Sequence, residues 1–217
     1  MNITPNIFLK QNCYKSNIIL CLNQFLNLKV NFVYIETLCK EDQEKIITKS
    51  PTGKIPLLQK GDYYLSGTKA ILKFLLSMTD NSSLLNFLHP SNIFESSHIE
   101  MWIDYAVNNI WVLLENLFII DDKGISITKD EDLKEVALKE LHNVLSKINE
   151  TLKYQTFLVS TNFTLADLIF ASSLKPIYEK IIDEEIAKKY NNVIRWLKLA
   201  SSLKEFKAIH GETKFNL

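Results

Sequence analysis

The chain has 217 residues and carries 25 basic and 25 acidic side chains, so its formal net charge at pH 7 is zero. A neutral chain lacks a general electrostatic attraction to nucleic acid or to anionic lipid. Arg195 is the single arginine, which leaves almost no guanidinium for bidentate contacts to phosphate or guanine. We therefore expect neither nucleic acid nor a membrane as a direct partner.

Two long uncharged stretches, residues 16–28 and 105–114, are each shorter than the roughly 18 apolar residues that a membrane span needs. The first ten residues contain no apolar segment of the kind that a signal peptide requires. The three cysteines, Cys13, Cys21 and Cys39, are an odd number without CxxC spacing, which favours neither a disulfide framework nor a zinc site. These features predict a soluble cytosolic protein without a bound metal.

Residues 1–80 alternate between apolar strand patterns and helical patterns. Strands are predicted at 6–9, 30–35, 55–59 and 63–65, and helices at 16–28, 40–49 and 68–77. Lys60-Gly61-Asp62 is predicted to form a hairpin turn. The resulting order, a β-α-β unit, then a helix, then β-β-α, predicts a thioredoxin-like α+β domain.

A change in composition marks residues 81–91, where serine, asparagine and proline predict a linker. Over residues 92–217 the apolar spacing is helical throughout. Long helices are predicted at 93–120 and 131–152, with shorter helices after them. The second domain is therefore predicted to be an all-α helical bundle.

The segment Thr164-Leu165-Ala166-Asp167 predicts the start of a helix. Thr164 suits the N-cap position, and Asp167 lies at the third helical position, from which its carboxylate can reach back to the N–H of the cap. Phe163 and Leu168 have the spacing of a hydrophobic staple. An acidic residue at this position is usually structural, so we interpret Asp167 as a cap rather than as a catalytic carboxylate.

A thioredoxin-like part followed by a helical part with this capping box resembles the glutathione transferase superfamily over essentially the whole chain. By itself, Pro56 marks only the start of a strand. The resemblance implies a cis bond between Ile55 and Pro56, and it places Lys54, Ile55 and Pro56 at a glutathione pocket. It also matches Gly67-Thr68 to the Glu/Gln-Ser pair that holds the γ-glutamyl end of glutathione. Thr68 keeps the hydroxyl, whereas Gly67 lacks the expected side chain.

Within the superfamily, the chain resembles the gamma subunit of eukaryotic translation elongation factor 1. The segments that carry this resemblance are residues 156–159 with 164–167, 192–196 and 206–214. It implies a scaffold with little or no catalysis that requires no cofactor, binds the nucleotide-exchange subunit and forms a homodimer, within a longer protein. Arg195, from the residues alone, is either paired with a buried carboxylate or exposed, and the resemblance implies a structural role.

Two alternative functions stay open. Cys13 follows the first predicted strand at the spacing of the reactive cysteine in glutaredoxins and omega-like transferases, which predicts a glutathione-dependent enzyme with Cys13 as its catalytic residue. Such sites usually have a proline after the cysteine, whereas this chain has Tyr14, so an ordinary loop thiol is the plainer interpretation. The other alternative is a transferase-like module of an aminoacyl-tRNA synthetase complex.

Overall fold

The computed structural model describes residues 3–121 and 124–213. The chain divides between Ser82 and Ser83 into two compact units. None of the helices in the described ranges combines the length and the apolar character that crossing a membrane would require.

The first unit contains a four-stranded sheet in the order β2-β1-β3-β4. Its strands are β1 (Asn6–Leu9), β2 (Asn31–Tyr34), β3 (Leu57–Lys60) and β4 (Tyr63–Ser66). Strand β1 pairs in parallel with β2 and antiparallel with β3, and β3 pairs antiparallel with β4. Lys60 lies opposite Tyr63, so Gly61 and Asp62 form a two-residue turn where the hairpin was predicted.

In the described part of this unit, three α-helices accompany the sheet: α1 (Tyr14–Leu26), α2 (Lys40–Ile47) and α3 (Thr68–Leu76). Among the apolar side chains that α1 repeats at helical spacing, Ile18, Ile19 and Leu22 are completely buried. Helix α3 packs beside α1 and buries Ile71 and Leu75. Helix α2 buries no residue, as its charged sequence predicts. The element order confirms the thioredoxin-like prediction.

The second unit is built mainly from helices. They are α4 (Ser82–Leu88, which begins at the boundary), α5 (Ile93–Tyr105), α6 (Trp111–Leu117), α7 (Glu131–Thr151), α8 (Leu165–Lys180), α9 (Glu184–Lys189), α10 (Asn191–Ser202) and α11 (Lys204–His210). A five-residue π-helical segment, Ala106–Ile110, joins α5 to α6. The side chain of Asn109 donates a hydrogen bond to the Tyr105 carbonyl within this widened turn, at 2.9 Å.

The helical prediction for residues 118–120 was wrong. The chain instead forms a hairpin of β5 (Phe118–Asp121) and β6 (Gly124–Ile127), in which Phe118 pairs with Ile127. Aromatic and β-branched residues favour strands, and a short apolar run that follows a helix does not reveal the change of period. The predicted linker also contains helix α4, whose Leu88 is buried.

The last described helix, α11, is tied to α8 by His210. Nε2 of His210 lies 3.0 Å from Oγ of the buried Ser172, and the imidazole stacks on the ring of Phe206 with the centroids 4.2 Å apart. Burial lowers the pKa of His210 to about 3, and the charge of Lys175 acts in the same direction. The neutral imidazole is therefore the form that holds α11 in place.

We expect His210 to make the protein less stable as the pH falls from 6.5 toward about 3. Over this range the unfolded histidine binds a proton and the folded one does not, which costs up to about 1.4 kcal/mol of unfolding free energy per pH unit. Denaturant unfolding of His210→Gln should lack this contribution, whereas His98→Gln, which changes an exposed histidine, should retain it. Equal pH slopes in the wild type and in His210→Gln would contradict the assignment.

Candidate functional site

The register of the first sheet brings three predicted site segments to one edge. Phe8 of β1 and Ser66 of β4 both lie opposite Leu57, the first residue of β3. Because β3 runs antiparallel to both neighbours, the end of β1, the start of β3 and the end of β4 share this edge. The loop to Cys13 follows β1, the Ile55-Pro56 bond directly precedes β3, and Gly67-Thr68 directly follow β4.

The peptide bond between Ile55 and Pro56 is cis, as the resemblance predicted. Pro56 is buried, Ile55 is half-buried and Lys54 is exposed. Leu57 follows as the first ladder residue of β3, which leaves the backbone of Ile55 outside the sheet at its edge. This arrangement matches the position that the resemblance assigns to glutathione, and the assignment itself stays a prediction.

Gly67 and Thr68 form the start of helix α3. Gly67 is the N-cap residue with φ 94° and ψ 125°, a conformation that strains any residue with a Cβ atom. Its carbonyl accepts the N–H of Ile71 at 3.0 Å, and Thr68 is buried. Apart from Gly67 itself and its two chain neighbours, no atom of the described residues lies within 4 Å of the place where a Cβ of residue 67 would be. A Cβ at residue 67 would have room there, but glycine supplies no side chain to hold a ligand.

Cys13 lies at the N-terminus of helix α1 with only 9% of its surface exposed. Its carbonyl accepts the N–H of Asn17 at 3.0 Å, and the preceding loop is closed by a 3.0 Å bond from the N–H of Lys10 to Oγ of Ser16. Cys39 is exposed, by contrast. In the described ranges no group of three His, Cys, Asp or Glu side chains is arranged to hold a metal ion.

The capping box of the second unit is part of a larger buried network around Asp167. Thr164 and Asp167 form the box as predicted, with the Thr164 N–H and Oγ1 both donating to Oδ2 of Asp167 at 2.9 Å. Oδ1 accepts the N–H of Leu158 at 2.9 Å and Nε1–H of Trp196 at 2.8 Å. Burial raises the pKa of Asp167, and these hydrogen bonds oppose that rise. The carboxylate therefore joins a loop, a helix start and α10.

Arg195 is exposed and bonds to backbone carbonyls. Its Nη2 donates to the carbonyl of Leu152 at 2.8 Å and to that of Gln155 at 3.1 Å. Leu152 is the C-cap residue of α7, so the guanidinium satisfies carbonyls where that helix ends. The local sequence did not indicate these partners, because they lie 43 and 40 residues earlier in the chain.

Comparison with known proteins supports the fold described above. Residues 103–203 match the family described as glutathione S-transferase, C-terminal domain. The GST-like domain of elongation factor 1-gamma from Saccharomyces cerevisiae has a TM-score of 0.80 at 19% identity, with 99% of this chain and 96% of that chain covered. For poplar glutathione transferase F1 the TM-score is 0.78 at 17% identity, with 95% and 96% covered. The chain has the glutathione transferase fold.

The sequence resemblance to elongation factor 1-gamma is confirmed as well. The chain is 29% identical to the protein of that name from Drosophila melanogaster over 185 residues, which are 85% of this chain and 40% of that protein. It is 28% identical to the one from Carassius auratus over 169 residues, 77% of this chain and 36% of that protein. The chain thus spans well under half the length of the curated relatives it matches.

We expect Asp167→Ala to lower the unfolding free energy by about 3–5 kcal/mol, because it leaves several buried donors without an acceptor. Asp183→Ala is the matched control. Asp183 is an N-cap whose carboxylate accepts one hydrogen bond, from the N–H of Ile186, and we expect its loss to cost about 1 kcal/mol. Chemical denaturation measures both, and similar losses would show that the network adds nothing to simple capping.

Proposed function

We propose that this chain is a scaffold domain of the elongation factor 1 nucleotide-exchange complex, which acts in translation elongation in the cytoplasm. It binds the exchange subunit and has little or no catalytic activity. The observation that carries this proposal is the similarity to proteins named Elongation factor 1-gamma over 76–87% of the chain. Because those proteins are much longer, the proposal concerns only the transferase-like part.

The geometry of the sheet edge supports a scaffold over an enzyme. Gly67 supplies no carboxylate or amide for the γ-glutamyl end of glutathione. The Cys13 thiol is largely buried, and a nucleophile must be reachable by its substrate. A fold that is shared with enzymes does not by itself confer their activity. Residue 67 has no side chain, and the thiol is not open to a substrate. The sheet edge therefore has the backbone arrangement expected of a glutathione pocket but lacks two of the groups that catalysis would need.

Helix α5 carries exposed apolar side chains that could be buried when the protein associates. Ile93, Phe94 and Met101 of α5 are exposed, and Phe94 has 79% of its surface accessible. Apolar side chains of this kind are commonly buried when proteins associate. We assign self-association to this face of α5. Trp111, in contrast, is buried and donates a hydrogen bond to Oγ of Ser173 at 3.0 Å, so it belongs to the core.

We expect the chain to form a complex of fixed ratio with the elongation factor 1 exchange subunit of the same organism. Co-expression followed by affinity purification and gel filtration at about 10 µM measures the complex, a concentration at which even a micromolar dissociation constant leaves most of the protein bound. An active glutathione transferase of the same fold is the control bait. If no complex forms, or if the chain is instead recovered with an aminoacyl-tRNA synthetase, the scaffold assignment to elongation factor 1 is wrong.

A glutathione-dependent enzyme is the second candidate, and the position of Cys13 favours it. The thiol lies at a helix N-terminus, on the same sheet edge as the cis bond of Pro56. A cysteine in this position is suited to thiol chemistry. The enzyme would need local opening to expose the thiol, since only 9% of the surface of Cys13 is accessible.

We expect the purified chain to bind glutathione-agarose weakly and to show no turnover above the uncatalysed rate in glutathione conjugation or in reduction of a mixed disulfide. The reason is the missing side chain at residue 67 together with the buried thiol. Cys13→Ser tests any activity that is found, with Cys39→Ser as the control at an exposed cysteine. Turnover that Cys13→Ser abolishes and Cys39→Ser preserves would establish the enzyme instead.

A further inference from the structure

The hairpin of β5 and β6 in the second unit leaves one edge of β6 free. The two strands form a sheet of their own, in which β6 pairs with β5. Of the described elements, only β5 packs extensively on β6. A two-stranded ribbon is at best marginally stable in water, and it gains stability when a further strand is added. The outer edge of β6, on the side away from β5, is therefore a place where another extended chain can bind.

The backbone groups of Ile125 and Ile127 face this outer edge. The N–H of Thr128 donates to the carbonyl of Leu117 at 2.8 Å, so the backbone of Thr128 faces the side of β5. Successive residues of a strand point their backbone groups to alternate sides, so Ser126 also faces β5 whereas Ile125 and Ile127 face outward. Within the part of the chain that the structure describes, the N–H and C=O groups of both isoleucines have no hydrogen-bond partner.

The side chains of β6 divide into an apolar and a polar face. Ile127 lies opposite Phe118, which is buried, so Ile127 and Ile125 share the face that packs on the core. Both isoleucines are only half-buried. Ser126 lies opposite Ile119, and both of these side chains are exposed on the other face. A further strand beside β6 would cover the isoleucines where β5 leaves them open.

The sequence of β6 does not protect this edge from pairing. Edge strands in natural proteins commonly carry a lysine, a proline or a bulge that prevents pairing with another chain. Gly124–Ile127 contains no charged residue and no proline, and its pairing with β5 proceeds residue by residue without a bulge. Isoleucine is β-branched and favours strands. The edge thus has the features of a strand that accepts a neighbour.

We propose that β6 pairs antiparallel with β6 of a second copy of this chain, about a two-fold axis at Ser126. Ile125 of each copy then lies opposite Ile127 of the other copy, and the two residues exchange N–H···O=C hydrogen bonds. The isoleucines of both copies form one apolar face, and the result is a four-stranded sheet in the order β5-β6-β6-β5. The pairing rests neither on the elongation-factor role nor on the α5 residues to which self-association is assigned above.

Symmetry favours a second copy as the occupant. A two-fold contact requires a surface that is complementary to itself. With the axis at Ser126, each outward-facing isoleucine meets another outward-facing isoleucine, so every free N–H finds a C=O. An uncharged strand offers nothing that would select a partner of either charge. One short strand from each copy buries much less than the roughly 1,200–2,000 Å² of a standard interface, so we expect a dissociation constant of about 0.1–1 mM.

The first test is a disulfide across the proposed axis. Residues that lie directly opposite at a non-hydrogen-bonded position have Cα atoms about 4.5 Å apart, which is within the range of a disulfide. In a Cys39→Ser background, which removes the exposed cysteine, Ser126→Cys should give a disulfide-linked dimer when about 100 µM protein is mildly oxidised. Ile119→Cys is the matched control. It is exposed on the same face but lies in β5, so its two copies are three strand spacings, about 14 Å, apart.

The second test places charges at the axis. Sedimentation velocity at about 0.5 mM measures association, in a Phe94→Asp background that disrupts the exposed apolar face of α5. Ser126→Lys and Ser126→Asp each put like charges directly opposite one another, and each should weaken association about fivefold or more. An equal mixture of the two variants pairs opposite charges and should restore association. Ser146→Lys makes the same change at an exposed serine of α7 and should leave association within about twofold.

Circular dichroism and thermal unfolding establish that these variants remain folded, and the substituted positions in β5, β6 and α7 are exposed. Three results would overturn the proposal. The first is no more crosslinked dimer with Ser126→Cys than with Ile119→Cys. The second is a mixture of the Lys and Asp variants that associates no better than either alone. The third is a Phe94→Asp chain that stays monomeric at about 1 mM, or a β6 edge that a different protein occupies. Failure to recover the exchange subunit would leave the crosslink and the charge rescue unaffected.

Discussion

The buried carboxylate of Asp167 is the interaction on which the second unit depends. Its two oxygens accept hydrogen bonds from Leu158, Thr164 and Trp196, which belong to a loop, a helix cap and helix α10. Each donor left unsatisfied after burial costs about 1–3 kcal/mol, so the three elements are most stable when they form together. The position of α10 follows from this network. Trp196 of α10 faces the core and contacts Asp167. Arg195, the residue before it, contacts the C-terminal end of α7 instead.

Local chemistry explains which elements could be predicted. Strand β1, the Gly61-Asp62 turn and the Thr164-Asp167 box each depend on residues within a few positions of one another, so a short window contains the whole signal. The hairpin of β5 and β6 could not be predicted in the same way. Its first strand continues the apolar run of α6, and only pairing with residues further along the chain distinguishes the two states.

The candidate site was predictable in outline because strand order decides which segments meet. In the order β2-β1-β3-β4, the loop after β1 that contains Cys13, Pro56 just before β3 and Gly67 just after β4 lie at one edge. Whether a thiol at that edge is accessible depends on side-chain packing, which periodicity does not contain. The contact between Arg195 and the carbonyl of Gln155 was unpredictable for a similar reason, because the two residues are 40 positions apart in the chain.

Gly67 has a consequence for how this sequence can change over time. At φ 94° every L-residue is strained by about 1–3 kcal/mol, and only a side chain that holds a ligand returns a benefit. Where a side chain at this position holds no ligand, a change to glycine removes the strain and gains stability. The reverse substitution destabilises the fold before any ligand contact is regained. At this helix start, a change to glycine is therefore easier than a change back to a residue with a side chain.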